Sequence, residues 1–277
     1  MDYTLNCNGQ LQDLSTPQVM GILNATPDSF YAASRTQTER EIVSRTEQIL
    51  NEGGSIIDVG ACSTRPDSKT ATEAEEAERL RLALKTIRSV APDAIVSVDT
   101  FRPQLARMAV EEYGAAIIND VGAPVNSPEV TVDSQKDMFR MVSRLRVPYI
   151  YMSRKSSIKD ILLDSAEVID MLRSMGQKDI IIDPGFGFGK TVEQNYEVMN
   201  GLEQLQMLKL PLLVALSRKS MIYRLLETSQ EEALTGTIAL NTIALLKGAD
   251  ILRVHDVKEA VECIKIVNKI ACSSNLV

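Results

Sequence analysis

Asp183 closes a run of three isoleucines, Ile180-Ile181-Ile182, and opens the stretch Asp183-Pro184-Gly185-Phe186-Gly187-Phe188-Gly189-Lys190-Thr191. An acid and a lysine on either side of a glycine-rich loop can hold a polar ligand between them. Two familiar phosphate loops do not fit. A Walker A loop ending in Gly189-Lys190-Thr191 needs glycine at position 184, where proline stands, and the dinucleotide fingerprint needs Gly-x-Gly-x-x-Gly rather than Gly185-x-Gly187-x-Gly189. Other chemistry-bearing residues also follow short apolar runs: Asn24, Thr64 and Arg65, Asp99, Asn119, Met152, Lys219, Arg253 and His255. The cations Arg65, Lys190, Arg218, Lys219 and Arg253 all fall at such positions in a chain of net charge −7. Concentrated positive charge on an acidic body predicts an anionic small substrate, a phosphate or carboxylate. Asp99 and Asp183 among those cations predict that the ligand also presents donors, as a heterocycle edge bearing amino groups does.

These residues need elements to bring them together, and the chain repeats one unit to do so. Apolar strands are expected at Val19–Leu23, Ser55–Val59, Ala94–Val98, Ala115–Ile118, Pro148–Tyr151, Asp179–Ile182, Pro211–Val214 and Asp250–Leu252. Helical patterns separate them. One opens at Thr72 with Glu75 at capping-box spacing and carries Ala77, Leu80, Leu84 and Ile87 as a stripe. Another starts at Pro103, a favoured first-turn residue, and another follows the capping-box pair Thr191 and Gln194. Strict alternation requires a parallel sheet, and roughly eight units in a chain of this length suit an α/β fold of the closed (β/α)₈ TIM-barrel type. An open doubly wound sheet is the alternative. Residues 1–18 precede the first core strand and hold an Asn8-Gly9 turn between short alternating segments, a β-hairpin signal. With no linker or composition break, residues 1–277 read as one barrel domain with the hairpin as an N-terminal extension.

Composition narrows the function. Hydrophobic residues make up 44% and charged residues 24%, a globular balance, and the acidic net charge argues against a nucleic-acid surface. No apolar run reaches the length of a membrane span and the N-terminus shows no basic-then-apolar signal pattern, so a cytoplasmic protein is expected. Four scattered cysteines and a single histidine argue against a zinc site and for reduced thiols.

Taken in order, several stretches resemble dihydropteroate synthase: Gly21-Ile22-Leu23-Asn24-Ala25-Thr26-Pro27-Asp28-Ser29-Phe30, Ile56-Ile57-Asp58-Val59-Gly60, Ser63-Thr64-Arg65-Pro66, Ser97-Val98-Asp99-Thr100, Ile118-Asn119-Asp120-Val121, the Asp183–Thr191 loop, Ser217-Arg218-Lys219-Ser220, and Arg253-Val254-His255-Asp256-Val257. The resemblance implies a barrel enzyme of folate synthesis that joins 6-hydroxymethyl-7,8-dihydropterin pyrophosphate to p-aminobenzoate, with Mg²⁺. It implies that Asp99, Asn119, Asp183 and Lys219 meet the pterin edges, with Arg253 on a face and Met152 in the substrate set. Asn24, Arg65, Arg253 and His255 would hold pyrophosphate, with Asn24 near the metal. Thr64, Arg65, Pro66, Phe188 and Ser217 would form the aminobenzoate site, and Asp99, Asp183, Lys219, Arg253 and His255 would act in catalysis. A homodimer and a sulfonamide target are further implications.

The outer loops depart from the family pattern. Tyr31-Ala32-Ala33-Ser34-Arg35 replaces a Ser-Asp-Gly-Gly-like run, Cys62 stands where glutamate is usual and Asp67 where glycine is. Met152-Ser153-Arg154-Lys155 replaces a Met-His-Met-like stretch, and Ala215 replaces a glycine. These departures keep two other readings open, a methyltetrahydrofolate-type methyltransferase and a pterin-binding paralogue without turnover.

Overall fold

The computed structural model describes residues 3–25, 35–62, 70–123 and 132–274. Its first elements are β1 (Thr4–Cys7) and β2 (Gln10–Asp13), an antiparallel hairpin with Asn8 and Gly9 at positive φ in the turn. The repeating unit then begins: β3 (Gln18–Asn24), α1 (Arg35–Asn51), β4 (Ile56–Gly60), α2 (Glu73–Val90), β5 (Ile95–Asp99), α3 (Pro103–Tyr113), β6 (Ile117–Asp120) and α4 (Val132–Leu145). It continues with β7 (Tyr149–Met152), α5 (Ile158–Ser174), β8 (Ile180–Asp183), α6 (Val192–Asn200), a 3-10 helix (Leu202–Leu208), β9 (Leu213–Val214), α7 (Ser220–Leu225), α8 (Leu234–Leu246), β10 (Ile251–Val254) and α9 (Val257–Ser274).

The eight strands after the hairpin pair in parallel in the order β8-β7-β6-β5-β4-β3-β10-β9. An isolated parallel bridge between Ile182 and Leu212, with the Ile182 N–H donating to the Pro211 carbonyl at 2.9 Å, joins the two ends. The sheet is therefore a TIM barrel and not an open doubly wound sheet. Every residue of β4, β6, β7 and β8 is buried, because helices cover one face and the barrel interior fills the other. The local signals hold as well. Thr72 and Thr191 are N-caps with complete capping boxes, and Pro103 opens α3. At Gly21 a Cβ would stand 2.7 Å from Ile49 Cγ2, so glycine is what lets α1 lie this close to β3.

Side-chain alternation divides the core in two. In β8, Ile180 and Ile182 pack outward with the helices, whereas Ile181 points inward with Met20, Ile56, Ile95, Ile117, Ile150, Leu213 and Ile251. The hairpin closes this inner layer from below with Leu5, Cys7 and Leu14. Its hold is reinforced by the Asn8 amide, which donates to the Gly114 carbonyl at 2.9 Å and the Ala115 carbonyl at 3.1 Å. Counting two residues on from each inward apolar residue gives Ile22, Asp58, Ser97, Asn119, Met152, Asp183, Ala215 and Arg253. Five of these eight are polar, so a largely polar layer lies directly above an apolar one.

The hairpin is a structural plug, and Leu5 is its most enclosed residue at 0% exposure. Leu5→Ala should cost about 3 kcal/mol in urea unfolding while the strands stay paired, since it leaves a cavity against the inner layer. A cost below about 0.5 kcal/mol would show that the hairpin contributes nothing to the barrel.

Candidate active site

Arg253 enters the barrel from β10 and takes two acids. Its Nε donates to Asp58 Oδ2 at 2.7 Å and its Nη2 to Asp99 Oδ2 at 2.8 Å. The Asn119 amide Nδ2 donates to the same Asp58 oxygen at 3.1 Å, leaving Asn119 Oδ1 and Asp58 Oδ1 buried without a partner. Burial raises the Asp99 carboxyl to about 7; Arg253 opposes the shift, while Asp58 and Glu76 add to it. For Arg253, burial pulls the guanidinium down, but Asp58 and Asp99 outweigh it and hold the group above its ordinary value.

The glycine-rich loop wraps the second acid–base set. Asp183 Oδ1 accepts the Gly185 N–H at 2.7 Å, which turns the chain back at once. Gly185 has φ +69°, and a Cβ there would stand 2.3 Å from the Ser153 carbonyl oxygen, so no other residue fits. Lys219, arriving after β9, donates its ammonium to the Phe186 carbonyl and lies 4.8 Å above the Phe188 ring centroid. Burial pulls Lys219 down to about 8, with Asp183 opposing, and burial likewise raises Asp183, with Lys219 the first group to oppose it. Lys190 donates to the Gly185 carbonyl at 2.8 Å and is also pulled by burial to about 8.

His255 marks the third corner. Its Nδ1 lies 3.0 Å from Ser217 Oγ, its backbone N–H donates to the same oxygen at 3.1 Å, and Arg45 donates to its carbonyl at 2.6 Å. Burial and the Arg253 charge push the imidazole down to about 4, so it is neutral at pH 7. Asn24 is exposed at the end of β3, across Gly60 from Asp99. Met152 is buried at the end of β7. The arrangement brings Asp99, Asn119, Asp183, Lys219 and Arg253 to one end of the barrel. Thr64, Arg65 and Pro66 lie outside the described residues.

A family model for pterin binding enzymes matches residues 20–255. A dihydropteroate synthase of Clostridium beijerinckii is 40% identical over 250 residues, covering 87% of this chain and 89% of that protein. The chain belongs to the pterin binding enzymes, among the dihydropteroate synthases. Two solved structures of the Xanthomonas albilineans enzyme agree with this membership. One, with 4-aminobenzoic acid, superposes at TM-score 0.86 with 32% identity over 98% of this chain and 99% of that one. The other, in complex with 7,8-dihydropteroate, gives TM-score 0.80 and 28% identity over 97% and 98%.

Within this pterin-binding barrel one sequence expectation needs amending. Arg218 is not a ligand-facing cation: its Nε and Nη2 each meet an Asp256 carboxylate oxygen at 2.9 Å, and its Nη1 reaches the Gln230 and Glu231 carbonyls. One residue went unnamed as a site candidate, Asp58. Its signal was present, because a carboxylate inside a strand buried on both faces must find a cation or a donor.

Asp58→Asn should leave Arg253 with one anionic partner inside the barrel. Urea unfolding should show a loss of about 3 kcal/mol, the size expected for breaking a buried pair. Asp137→Asn, at the exposed Arg140–Asp137 pair of 2.8 Å, should change stability by less than about 1 kcal/mol. Equal effects would show that the interior pair carries no special weight.

Proposed function

We propose that this end of the barrel condenses 6-hydroxymethyl-7,8-dihydropterin pyrophosphate with p-aminobenzoate, giving 7,8-dihydropteroate and pyrophosphate. The observation that carries the reading is the set of acceptors around one slot: Asp99, the unpartnered Asn119 Oδ1 and the second oxygen of Asp183, with the Lys219 ammonium as donor. A pterin edge presents amino and ring N–H donors beside a carbonyl acceptor, and that pattern answers this one. The likeness to the Xanthomonas albilineans structures, one with 4-aminobenzoic acid and one with 7,8-dihydropteroate, supports the same substrates.

The chemistry follows from the charges. Breaking the bond between the methylene carbon and the pyrophosphate oxygen leaves positive charge that the pterin ring delocalises. The carboxylates of Asp183 and Asp99 favour that charge, and Arg253, Arg65 and neutral His255 receive the leaving anion with Asn24. The aniline nitrogen of p-aminobenzoate is already nucleophilic, so no strong base is required. Phe188 gives the aminobenzoate ring an aromatic face, and the family resemblance assigns Thr64, Arg65 and Pro66 to the same ring. The relatives named above are synthases, which leaves methyl transfer without support.

Mg²⁺ belongs to the same proposal. Among the described residues no cluster of three or more His, Cys, Asp and Glu side chains could hold a metal. Mg²⁺ is commonly held by one or two protein oxygens together with substrate phosphates and water, and the exposed Asn24 amide oxygen suits that use. Bound there with the substrate, it would neutralise charge gathering on the departing pyrophosphate. A homodimer, a cytoplasmic setting and competition by sulfonamides for the aminobenzoate site complete the proposal. The dimer draws support from exposed Leu225, Leu226, Ile243 and Leu246 at α7 and α8. Among the described residues no helix is long and apolar enough to cross a membrane.

Incubation with both substrates and Mg²⁺ should release pyrophosphate and dihydropteroate in equal amounts; bound pterin with neither product would indicate a binding protein instead. Asp183→Asn should stay folded, because the amide oxygen can keep the Gly185 N–H while its NH₂ turns into the slot. There it meets a donor and removes the stabilising charge, costing on the order of 3 to 4 kcal/mol, or roughly a hundredfold to a thousandfold in rate. An unchanged initial rate would remove Asp183 from the mechanism.

The lysines give a pH test. Lys219, pulled to about 8, is charged below that value and neutral above it. The kcat/KM for the pterin substrate, which reports the free enzyme, should therefore fall as pH rises through about 8. In Lys219→Arg that limb should vanish; its persistence would assign it to Lys190, which burial also pulls to about 8.

A further inference from the structure

His255 is the chain's single histidine, and one hydroxyl touches it twice. We propose that Ser217 is a positioning residue that fixes His255 as the Nε2–H tautomer, making it a neutral hydrogen-bond donor to the leaving pyrophosphate. The proposal rests on the reading above that puts His255 at the pyrophosphate end.

The reasoning is an inventory of donors. A serine hydroxyl has one proton to give and two lone pairs to receive. One lone pair of Ser217 Oγ is taken by the His255 backbone N–H at 3.1 Å. If His255 carried its proton on Nδ1, the ring would occupy the second lone pair. The serine proton would then have no acceptor among the described residues, in a side chain that is only 6% exposed. If the proton sits on Nε2, the serine donates to the Nδ1 lone pair, and the Nε2–H of the partly exposed ring is left for solvent or ligand. Leaving a buried donor unmade is the costlier arrangement.

The charges around the ring exclude the third state. Arg45 donates to the His255 carbonyl, Arg253 lies two residues back on β10, and Arg218 follows Ser217, while the acid beside the ring, Asp256, is already held by Arg218. An imidazolium would stand among three guanidiniums. A neutral ring can still meet an anion, but only through a protonated nitrogen; a bare Nε2 would turn its lone pair toward phosphate oxygens. Ser217 thus decides whether the ring attracts or repels the leaving group. The partner hydrogen bond at one ring nitrogen commonly sets the tautomer at the other.

A lone histidine makes the test clean, since imidazole nitrogens of ¹⁵N-histidine-labelled protein give one set of resonances. In the parent, Nδ1 should resonate as an unprotonated nitrogen and Nε2 as a protonated one. Ser217→Ala should move both toward the shifts of a tautomer mixture, and Ser217→Thr, which keeps the hydroxyl, should restore the parent pattern. Inorganic pyrophosphate with Mg²⁺ should shift Nε2 in the parent. Its calorimetric affinity should fall about threefold to tenfold in Ser217→Ala and recover in Ser217→Thr, the size of one hydrogen bond. A parent ring protonated on Nδ1, or a tautomer unmoved in Ser217→Ala, would overturn the proposal. A fixed tautomer whose resonances ignore pyrophosphate would overturn its donor half, and the dihydropteroate assay would still judge the reaction separately.

Discussion

A guanidinium inside a barrel is the constraint on which the rest of this molecule depends. Arg253 is drawn out of water by Asp58 and Asp99, which come from two other strands, and Asn119 braces Asp58 from a third. Removing such charges from water costs several kcal/mol per ion, and only close pairing repays it. The group is also unbalanced. Asp183 is opposed by Lys219, Arg253 and Lys190, whereas at Asp99 the charges of Asp58, Glu76 and Asp120 are opposed by Arg253, so the excess of negative charge gathers at Asp99. The Asp99 carboxyl, raised to about 7, is where burial relieves that excess by favouring a proton. A ligand that develops positive charge relieves it in another way, which is the demand made by departure of pyrophosphate from a pterin methylene.

That electrostatic arrangement is possible because strand alternation keeps polar and apolar layers apart. The inward residues just below the charges are Ile56, Ile95, Ile117, Ile181 and Ile251, and the hairpin's Leu5 and Leu14 seal them from beneath. A one-residue slip in β4, β5, β8 or β10 would turn its inward acid or base onto the helix layer and put an outward-facing neighbour in the slot. Register is therefore held from both sides, by branched aliphatic packing outside and by ion pairs inside. Asp120 shows the separation well. It is the neighbour of Asn119, yet it faces outward, where it accepts from Tyr149 Oη at 2.7 Å and the Gly122 N–H at 2.8 Å.

Much of this could be read in the chain itself, and what could not shares one physical cause. The strand of three isoleucines ending in Asp183, the caps at Thr72 and Thr191, and Pro103 at a helix start are local signals, and each stands where local chemistry puts it. Closure depends on Ile182 meeting Leu212, and pairing partners that distant in sequence leave no local mark. Arg218 looked like a ligand-facing cation because nothing near it in sequence reveals that Asp256 takes the Nε–Nη2 edge of its guanidinium while the Gln230 and Glu231 carbonyls take Nη1. Ser217 and His255 likewise meet only after two strands are laid side by side. Asp58 differs from these. Its parity with Asp99, two strand positions above an inward isoleucine, could have been counted from the sequence once the strands were drawn.

The departures from the family pattern acquire local compensations in the fold. Ser153, standing where histidine is usual, gives its hydroxyl to Asp164 at 2.5 Å, and Tyr151 donates to the same oxygen at 2.8 Å. Arg154 reaches across to the Val121 and Ala123 carbonyls, so the exits of β6 and β7 are tied together without the histidine. Cys62 takes the place of a usual acid, but a buried acid remains close by. Glu76 binds Arg102 and accepts from Thr100 Oγ1 at 2.8 Å, and Arg102 donates to the Ala71 carbonyl at 2.7 Å. Arg79 donates to the Ala61 carbonyl at 3.0 Å, so both described ends of the 63–69 segment are anchored by helix α2 or its partners. Anchored ends matter to the chemistry because Asp99 stands on the next strand, where Glu76 and Asp58 both act on its charge. The outer sequence has therefore changed while the charges inside the barrel keep their supports.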